Sequence, residues 1–322
     1  MKRRSLLAVP PAFCLGLADA RAQATYPDRP LRMLVTIPPG GAPDVAARIL
    51  TQRLGERLGQ PVVIENRAGS NGQIATEAAV RSRPDGYTLL FAQDTVIVVN
   101  PAIYERAPFN VATDLVPVAS VAGNQFVLSV NPSLPVHTLE EFIALARRSN
   151  PPLAYASGGS GSQHQLAMEM LLRRAGIEML HVPFRGGTPA VTATVAGDTA
   201  AVFSGTSSAP LIQQGRLRAI AVTGPRRSQA FPNLPTIGEM FPGYELVIWL
   251  GMFAPAGTPA PVVGLLHEAI NATLAEPAVR GRLDSAGGLE ALITTPEGFA
   301  KLIRDDTEKF GALVREIGIR PE

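Results

Sequence analysis

A glycine-rich turn early in the chain has the composition of an anion-binding site. An apolar run, residues 31–37, ends in the Pro-Pro-Gly-Gly turn at 38–41, and a helix pattern opens at Ala42. A strand that runs into a glycine turn and then a helix presents free backbone N–H groups to an anion. Gly40 and Gly41 lack a Cβ atom, so a ligand can approach their main chain closely. We therefore predict that the N–H groups of Gly40, Gly41 and Ala42 contact a small anion.

The acidic residue next to this turn has two open interpretations. Asp44 lies in the first turn of the predicted helix, where its charge suits the helix dipole but would repel a nearby anion. It either turns away as a helix cap or binds a hydroxyl or ammonium group of the ligand. Asp44 is therefore one of the candidate ligand-binding residues.

Similar polar, glycine-containing loops follow several other predicted strands. In open α/β sheets, ligands bind beyond the carboxyl ends of the strands, so loops at that edge can line one pocket. Solvated turns are the alternative interpretation. The further candidate ligand-binding residues in these loops are Asn71, Gln93, Thr95, Ser157, Ser160, Ser162, His164, Phe184, Gly186, Ser204 and Thr206.

The sequence gives little support for catalysis or metal binding. Ser70 lies in a stretch that approaches a nucleophile elbow, but the pattern G-x-S-x-G is absent. The four histidines are scattered without metal-ligand spacing, and neither G-x-G-x-x-G nor a P-loop occurs. We predict no catalytic residue, no metal and no cofactor. An exported serine hydrolase that uses Ser70 is the rival hypothesis.

Apolar β-type runs alternate with helix patterns along nearly the whole chain. This alternation predicts βαβ units with parallel strands, which is an α/β fold. Two runs, near Phe126 and Trp249, are predicted to cross between two lobes and to form a hinge beneath a cleft. The predicted organisation is a signal peptide at 1–24, a first lobe at 25–124 and 249–322, and a second lobe at 125–248.

The first 24 residues have the pattern of an export signal. A basic start at 2–4 precedes an apolar stretch at 5–18 and two A-x-A cleavage motifs, of which the one ending at Ala24 is favoured. Arg3-Arg4 resembles a twin-arginine signal, but the Sec route is preferred. The segment holds four of the 29 basic residues and one of the 27 acidic ones, so the mature chain is close to neutral. A neutral chain argues against nucleic-acid binding, and we expect a periplasmic protein.

Seven motifs occur in one order along the mature chain: YPxxP at 26–30, PPGGxxD at 38–44, GQPVVxENRxG at 59–69, PDGYTLL at 84–90, HVPFxGG at 181–187, GxLRA at 215–219 and FAPAGTP at 253–259. Through them the chain resembles the periplasmic substrate-binding proteins of tripartite tricarboxylate transporters, the TctC or Bug family. The resemblance implies a type II periplasmic-binding-protein fold whose two lobes close on a small carboxylate. Ligands in the family include di- and tricarboxylates, acidic amino acids and aromatic acids, bound without a cofactor.

The resemblance also suggests partners and one difference in the pocket. Members work with a membrane permease pair or feed a sensor kinase, and both alternatives stay open here; we expect a monomer. Many members have Asp where this chain has Ser204, so the resemblance disfavours a ligand with an ammonium group. Gln93 and Asp94 are polar where many members have small residues. The sequence thus predicts a solute-binding protein for a small carboxylate, either for transport or for sensing.

Overall fold

The computed structural model describes residues 26–40, 42–104, 107–205, 208–286 and 288–319. The predicted signal peptide and two predicted site residues, Gly41 and Thr206, lie outside the described residues. The strands are β1 (Leu31–Val35), β2 (Val62–Asn66), β3 (Thr88–Gln93), β4 (Leu115–Gln125), β5 (Val127–Val130), β6 (Ala154–Ser157), β7 (Leu180–Pro183), β8 (Ala201–Ser204), β9 (Arg218–Val222), β10 (Val247–Pro255) and β11 (Glu290–Ala291).

Helices alternate with these strands. They are α1 (Ala42–Leu58), α2 (Gln73–Val80), α3 (Asn100–Ile103), α4 (Val111–Asp114), α5 (Leu139–Arg148), α6 (Gln163–Ala175), α7 (Gly187–Ala196), α8 (Ala209–Gln213), α9 (Ile237–Met240), α10 (Ala260–Leu274), α11 (Pro277–Ser285) and α12 (Pro296–Ile317). A 3₁₀ turn at Ser70–Gly72 precedes α2, and a π-helical turn at Thr95–Val99 precedes α3. Within the described part of the chain, no helix is long and apolar enough to span a membrane.

The strands form two sheets. The first has the order β11-β4-β10-β3-β1-β2, and the second has the order β7-β6-β8-β5-β9. In the first sheet β1 is parallel to β2 and β3, and in the second β6 is parallel to β7 and β8. The longest strands, β4 and β10, run antiparallel to each other. The result is the predicted α/β fold with two lobes, each built on one sheet.

Two chain segments connect the sheets. Strand β4 belongs to the first sheet and β5 to the second, with Phe126 between them, and the chain returns at β10. Thr223 joins the two crossings, because its Oγ1 accepts a hydrogen bond from the Phe126 N–H (2.9 Å) and donates one to the Leu246 carbonyl (2.7 Å). The crossings therefore lie side by side, as the sequence predicted near Phe126 and Trp249.

The apolar core extends beneath both lobes. One continuous cluster includes Leu34 of β1, Phe203 of β8 and Phe310 of α12, all fully buried. Trp249 is also fully buried on β10, where it contacts Phe299 edge-on and its indole N–H donates to the Asp306 carboxylate (2.8 Å). Trp249 is thus a packing residue at the base of the two lobes.

Candidate functional site

The candidate site lies between the carboxyl ends of two sets of parallel strands. Parallel pairing places the ends of β1, β2 and β3 at one edge of the first sheet, and those of β6, β7 and β8 at one edge of the second. Gln93 pairs with Leu250, close to the start of β10, and Ser204 pairs with Val127, the first residue of β5. Both edges therefore border the crossing segments and face each other.

The turn after β1 is held by a buried carboxylate. The Asp44 side chain, of which 2% is exposed, accepts hydrogen bonds from the Gly40 N–H (2.9 Å), the Arg48 guanidinium (2.9 and 3.1 Å) and the Asn66 amide (2.8 Å). Burial raises the pKa of Asp44, but the bonds from Arg48, Gly40 and Asn66 outweigh it and leave the pKa below its usual value. Gly40 itself has φ +91°, a conformation that suits glycine.

These contacts refine two predictions. The Gly40 N–H was predicted to contact the ligand, but it donates to Asp44 inside the turn. The contacts of Asp44 are those of the cap interpretation, with Arg48 offsetting its charge, and ligand binding by Asp44 stays a prediction. The N-terminus of α1, which begins at Ala42, remains beside the turn as an anion-binding element.

The turn after β2 is the most strained part of this edge. Ser70 and Asn71 have φ values of +46° and +48°, which cost non-glycine residues about 1–3 kcal/mol each. The Asn71 amide donates to the Asn100 side chain (2.6 Å), whose own amide donates to the Asn71 carbonyl (2.8 Å). A Cβ atom on Gly72 would lie 2.7 Å from Val96, so the turn packs closely against the segment after β3. Helix α2 begins directly after this turn, at Gln73.

In the second lobe, a buried network holds the glycine–serine loop between β6 and α6. The Ser157 hydroxyl, fully buried, lies 2.6 Å from His181 Nε2 and accepts a hydrogen bond from the Gly159 N–H (3.1 Å). Gln165 accepts from the Gly161 N–H (2.8 Å), which directs its amide NH₂ toward His181 Nδ1 (3.3 Å). This arrangement assigns the His181 proton to Nε2, where it is donated to Ser157.

In this tautomer, the hydrogen bond between Ser157 and His181 supports the loop. A histidine that donates its proton to a serine hydroxyl is not placed to remove one. The serine–histidine hydrogen bond also involves buried Ser157 rather than Ser70, which is exposed in the strained turn. Among the described residues, no cluster of histidine, cysteine, aspartate and glutamate could hold a metal ion.

His164 lies under the N-terminus of α7. Its ring packs on Phe126 with 4.7 Å between ring centres, and a Cβ atom on Gly158 or Gly187 would lie 3.0 or 2.8 Å from its nitrogens. Burial lowers the pKa of His164 to about 4, so the imidazole is neutral at physiological pH. Gly186 precedes α7, and no side chain caps the helix. The free N–H groups at this end give the second lobe its own anion-binding element.

The other predicted residues take different positions around this edge. Ser162 caps α6 through a bond from the Gln165 N–H (3.4 Å), Ser204 is buried with its hydroxyl 3.3 Å from Ser129, and Ser160 is exposed. Phe184 is half-buried and its N–H donates to the Ser157 carbonyl (2.9 Å). In the first lobe, Gln93 is half-buried at the end of β3, and Thr95 opens the π-helical turn.

Asp94 was not among the residues predicted to bind the ligand. It is fully buried between Gln93 and Thr95, and its carboxylate accepts hydrogen bonds from the Thr95 N–H (2.6 Å), the Gln163 amide (2.7 Å) and the Trp249 N–H (3.3 Å). Gln163 is the first residue of α6, in the second lobe. The polar pair Gln93-Asp94 at the end of a strand was the sequence signal for this residue. The burial of Asp94, however, depends on contacts with the second lobe.

Comparison with known proteins agrees with this fold. Residues 46–319 match the model of the tripartite tricarboxylate transporter family receptor, TctC. Protein BugT of Bordetella pertussis is 36% identical over 99% of both chains. A structure from R. palustris with adipate is 30% identical with a TM-score of 0.80, covering 92% of this chain and 100% of the other. MatC from Rhodopseudomonas palustris, with bound malate, is 28% identical with a TM-score of 0.75, covering 90% and 100%.

The two lobes and the cleft between them define a type II periplasmic binding protein. The chain belongs to the tripartite tricarboxylate transporter receptor family, as the sequence motifs predicted. It is a periplasmic solute-binding protein of the TctC or Bug type, because the family and the related solved structures are proteins of this kind.

Proposed function

We propose that this protein captures a small carboxylate between its two lobes and releases it to a membrane permease pair. The observation that carries the proposal is the position of two glycine-rich edges on opposite sides of the crossing segments, each with a helix N-terminus. Relatives solved with adipate and malate support a carboxylate as the ligand.

The proposed contacts are mainly backbone groups and hydroxyls. In the first lobe they are Gly41, Ala42, Asn71, Gln93 and Thr95, and in the second lobe Ser160, His164, Phe184, Gly186 and Thr206. Asp44, Ser157, Ser162 and Ser204 support these groups from behind, because their side chains take part in hydrogen bonds within the fold. The ligand thus meets little fixed negative charge.

The strength of such a site suits transport. Micromolar affinity requires about −8 kcal/mol. A helix N-terminus contributes roughly 0.3–2 kcal/mol to anion binding, and each charge-assisted hydrogen bond about 1.5–3 kcal/mol. Two helix N-termini and a few hydrogen bonds to one carboxylate therefore supply enough binding free energy without a buried arginine.

The rest of the proposal concerns export and the absence of catalysis. Residues 1–24 would direct the chain to the periplasm through the Sec route. The protein would act as a monomer without a cofactor and would not be an enzyme, since His181 faces Ser157 as a proton donor. A serine-reactive probe tests this point: labelling of Ser70 or Ser157 with turnover of an ester would revive the hydrolase.

The ligand site is tested by a charge placed at the N-terminus of α7. Thr188 is exposed in the first turn of this helix, and Thr192 is exposed one turn later. Thr188→Asp adds a carboxylate where the helix dipole favours it, so the fold should stay intact while the ligand is repelled. Thr192→Asp makes the same chemical change away from the helix end and is the matched control.

The measurement is calorimetric titration and thermal shift with mono-, di- and tricarboxylates, including adipate and malate. We expect at least one acid to raise the wild-type melting temperature by mass action, and its affinity to fall at least tenfold in Thr188→Asp but not in Thr192→Asp. Solution scattering should show a smaller radius of gyration with that acid. Equal affinities in both variants would remove α7 from the site, and a panel without any binding would refute the carboxylate ligand.

A further inference from the structure

A hydrogen bond between a carboxyl group and an amide joins the two lobes beside the hinge. Asp94 follows β3 in the first lobe, and Gln163 begins α6 in the second lobe. The Gln163 Nε2 donates to Asp94 Oδ2 over 2.7 Å, and the Trp249 N–H of strand β10 donates to the same oxygen over 3.3 Å. The contact therefore connects both lobes and one of the crossing segments.

The second lobe covers Asp94 through the N-terminus of α6. Asp94 is fully buried and Gln163 is 5% exposed. A Cβ atom on Gly161 would lie 2.4 Å from Ile103 of the first lobe, so this loop packs directly on that lobe. If α6 moves away during opening, water reaches the Asp94 carboxyl group.

Among the described residues, no positively charged group is in direct contact with Asp94. Helix α12 contributes Asp306, whose negative charge is partly offset by Lys309 (2.8 Å), β10 contributes only an N–H group, and α6 contributes Gln163 followed by the neutral His164. Burial raises the pKa of Asp94 to about 7, and Asp306 adds to this, while hydrogen bonds from Gln163, Thr95 and Trp249 act in the opposite direction.

The amide of Gln163 suits either form of the carboxyl group. Its Nε2 donates to a carboxylate, and after a rotation its Oε1 could accept the proton of a neutral acid. In the present orientation, Gln163 Oε1 is buried without a hydrogen-bond partner among the described residues. That rotation would place the NH₂ group where Oε1 now lies, so the amide makes one hydrogen bond to Asp94 in either form. The preference for the neutral acid comes from the full burial of Asp94.

We propose that Asp94 and Gln163 form a latch between the lobes that is strong when Asp94 is protonated and weak when it is ionised. This inference rests on the lobe closure of the proposed function, but it concerns the protein without ligand. The latch makes the equilibrium between closed and open lobes depend on the pH of the periplasm.

The direction of the pH dependence follows from the two states of Asp94. Below about pH 4 the carboxyl group is protonated in both states, because an exposed aspartate has a pKa of about 3.9. Between pH 4 and 7 only the open state ionises, so the ratio of open to latched protein rises about tenfold per pH unit. Above pH 7 both states are ionised and the ratio is constant. The latch is therefore present at low pH and lost as the pH rises toward 7.

The experiment uses the ligand-free protein between pH 5 and 8. Solution scattering measures the radius of gyration, and emission of Trp249, the one tryptophan in the chain, reports on the hinge. We expect both to change together between pH 5 and 7, with the larger radius at high pH. In Asp94→Asn both should become independent of pH, whereas His137→Gln, a control for histidine titration at an exposed position outside the site, should keep the wild-type response.

A second variant removes the hydrogen-bond partner of Asp94 in the second lobe, and it tests the latch even if Asp94→Asn misfolds. Gln163→Leu keeps Asp94 but deletes the interlobe hydrogen bond, so its radius should be large at every pH. Asp306→Asn should move the midpoint to lower pH, because the charge that raises the pKa of Asp94 is gone. A wild-type radius that does not change with pH, or a wild-type response retained in Asp94→Asn or Gln163→Leu, would overturn the latch. Because no ligand is used, these results are independent of the test with Thr188→Asp.

Discussion

Replacing Asp44 by asparagine tests whether this carboxylate supports the turn at 38–41 or contacts the ligand. The substitution keeps the shape of the side chain and removes its charge. One oxygen remains to accept a hydrogen bond from Asn66 or Arg48. The other is replaced by an NH₂ group that faces two further donors, the Gly40 N–H and the Arg48 Nε–H. Two charge-assisted hydrogen bonds are therefore lost.

The expected loss of stability follows from these contacts. Each hydrogen bond to a charged group contributes about 1.5–3 kcal/mol. The Arg48 side chain is 54% exposed, so water replaces part of what it loses, and we expect a net loss of about 2–3 kcal/mol. At roughly 2–4 °C per kcal/mol, the melting temperature should fall by roughly 5–10 °C. The affinity of the folded protein for a carboxylate should stay equal or increase, since a negative charge near the anion is gone.

The pH dependence provides a second check on this reasoning. The pKa of Asp44 is lowered in the folded protein, so its contribution is present above the unfolded value of about 4 and is lost as the pH falls through the folded value. The gap in melting temperature between wild type and Asp44→Asn should be equal at pH 7 and 5 and smaller at pH 3. A gap that is independent of pH would show that the charge is not its source.

The matched control for this prediction is Asp114→Asn. Asp114 accepts a hydrogen bond from the N–H group four residues before it, as Asp44 does, but at an exposed position (2.8 Å, from Asn110). Its loss should cost about 1 kcal/mol or less, as at other helix starts. If Asp44→Asn melts like the wild type but binds carboxylates tenfold more weakly, the carboxylate contacts the ligand and the supporting role is refuted.

Two further substitutions separate support of the loops from contact with the ligand. Ser157→Ala should lower the free energy of unfolding by about 1–3 kcal/mol in denaturant titration, because the half-buried N–H groups of His181 and Gly159 lose their acceptor. Unchanged stability would contradict the network. Gly187→Ala should weaken carboxylate binding with little change in melting temperature. The new Cβ atom would lie 2.8 Å from His164 Nε2, so the start of α7 or the imidazole ring must move. Wild-type affinity in calorimetry would show that this end of α7 does not contact the ligand.

The elements with strong local signals were predictable from the sequence. Helix α5 begins at a capping box, the pattern T-x-x-E at 138–141, in which Thr138 accepts from the Glu141 N–H and the Glu141 carboxylate accepts from the Thr138 N–H. The alternation of apolar runs also predicted the strands that flank the site. In these segments, local preference and the final packing favour the same structure.

Two elements next to the site were not predicted, because packing decides their structure. Strand β4 contains Pro117, which lies opposite Phe253 at an irregularity in the pairing with β10, where a missing N–H group is tolerated. Helix α7 is rich in threonine and valine, which are weak helix formers, but Ala190 and Ala193 bury one of its faces. Neither the bulge nor the buried face has a distinct local pattern.

The structure brings most of the predicted loops to two facing sheet edges, while the roles of their side chains depend on the fold. Sequence patterns identify glycine turns at strand ends, since these need particular residue types. They do not show that Asp44 and Ser157 point into the protein, or that Asp94 is covered by the opposite lobe. Both facts arise from contacts between residues that are distant in the sequence, which a local pattern does not contain.

In the proposed site, side chains and backbone groups have separate roles, and this separation affects the specificity of the site. Side chains such as Asp44 and Gln165 hold backbone N–H groups in place, and free N–H groups at two helix ends receive the carboxylate. A backbone N–H group is the same in every residue, so this half of the site can persist while the rest of the pocket changes. Two features then determine which acid binds: the few side chains that face the far end of the ligand, and the distance over which the lobes close. A latch at Asp94 would act on that distance without touching the ligand.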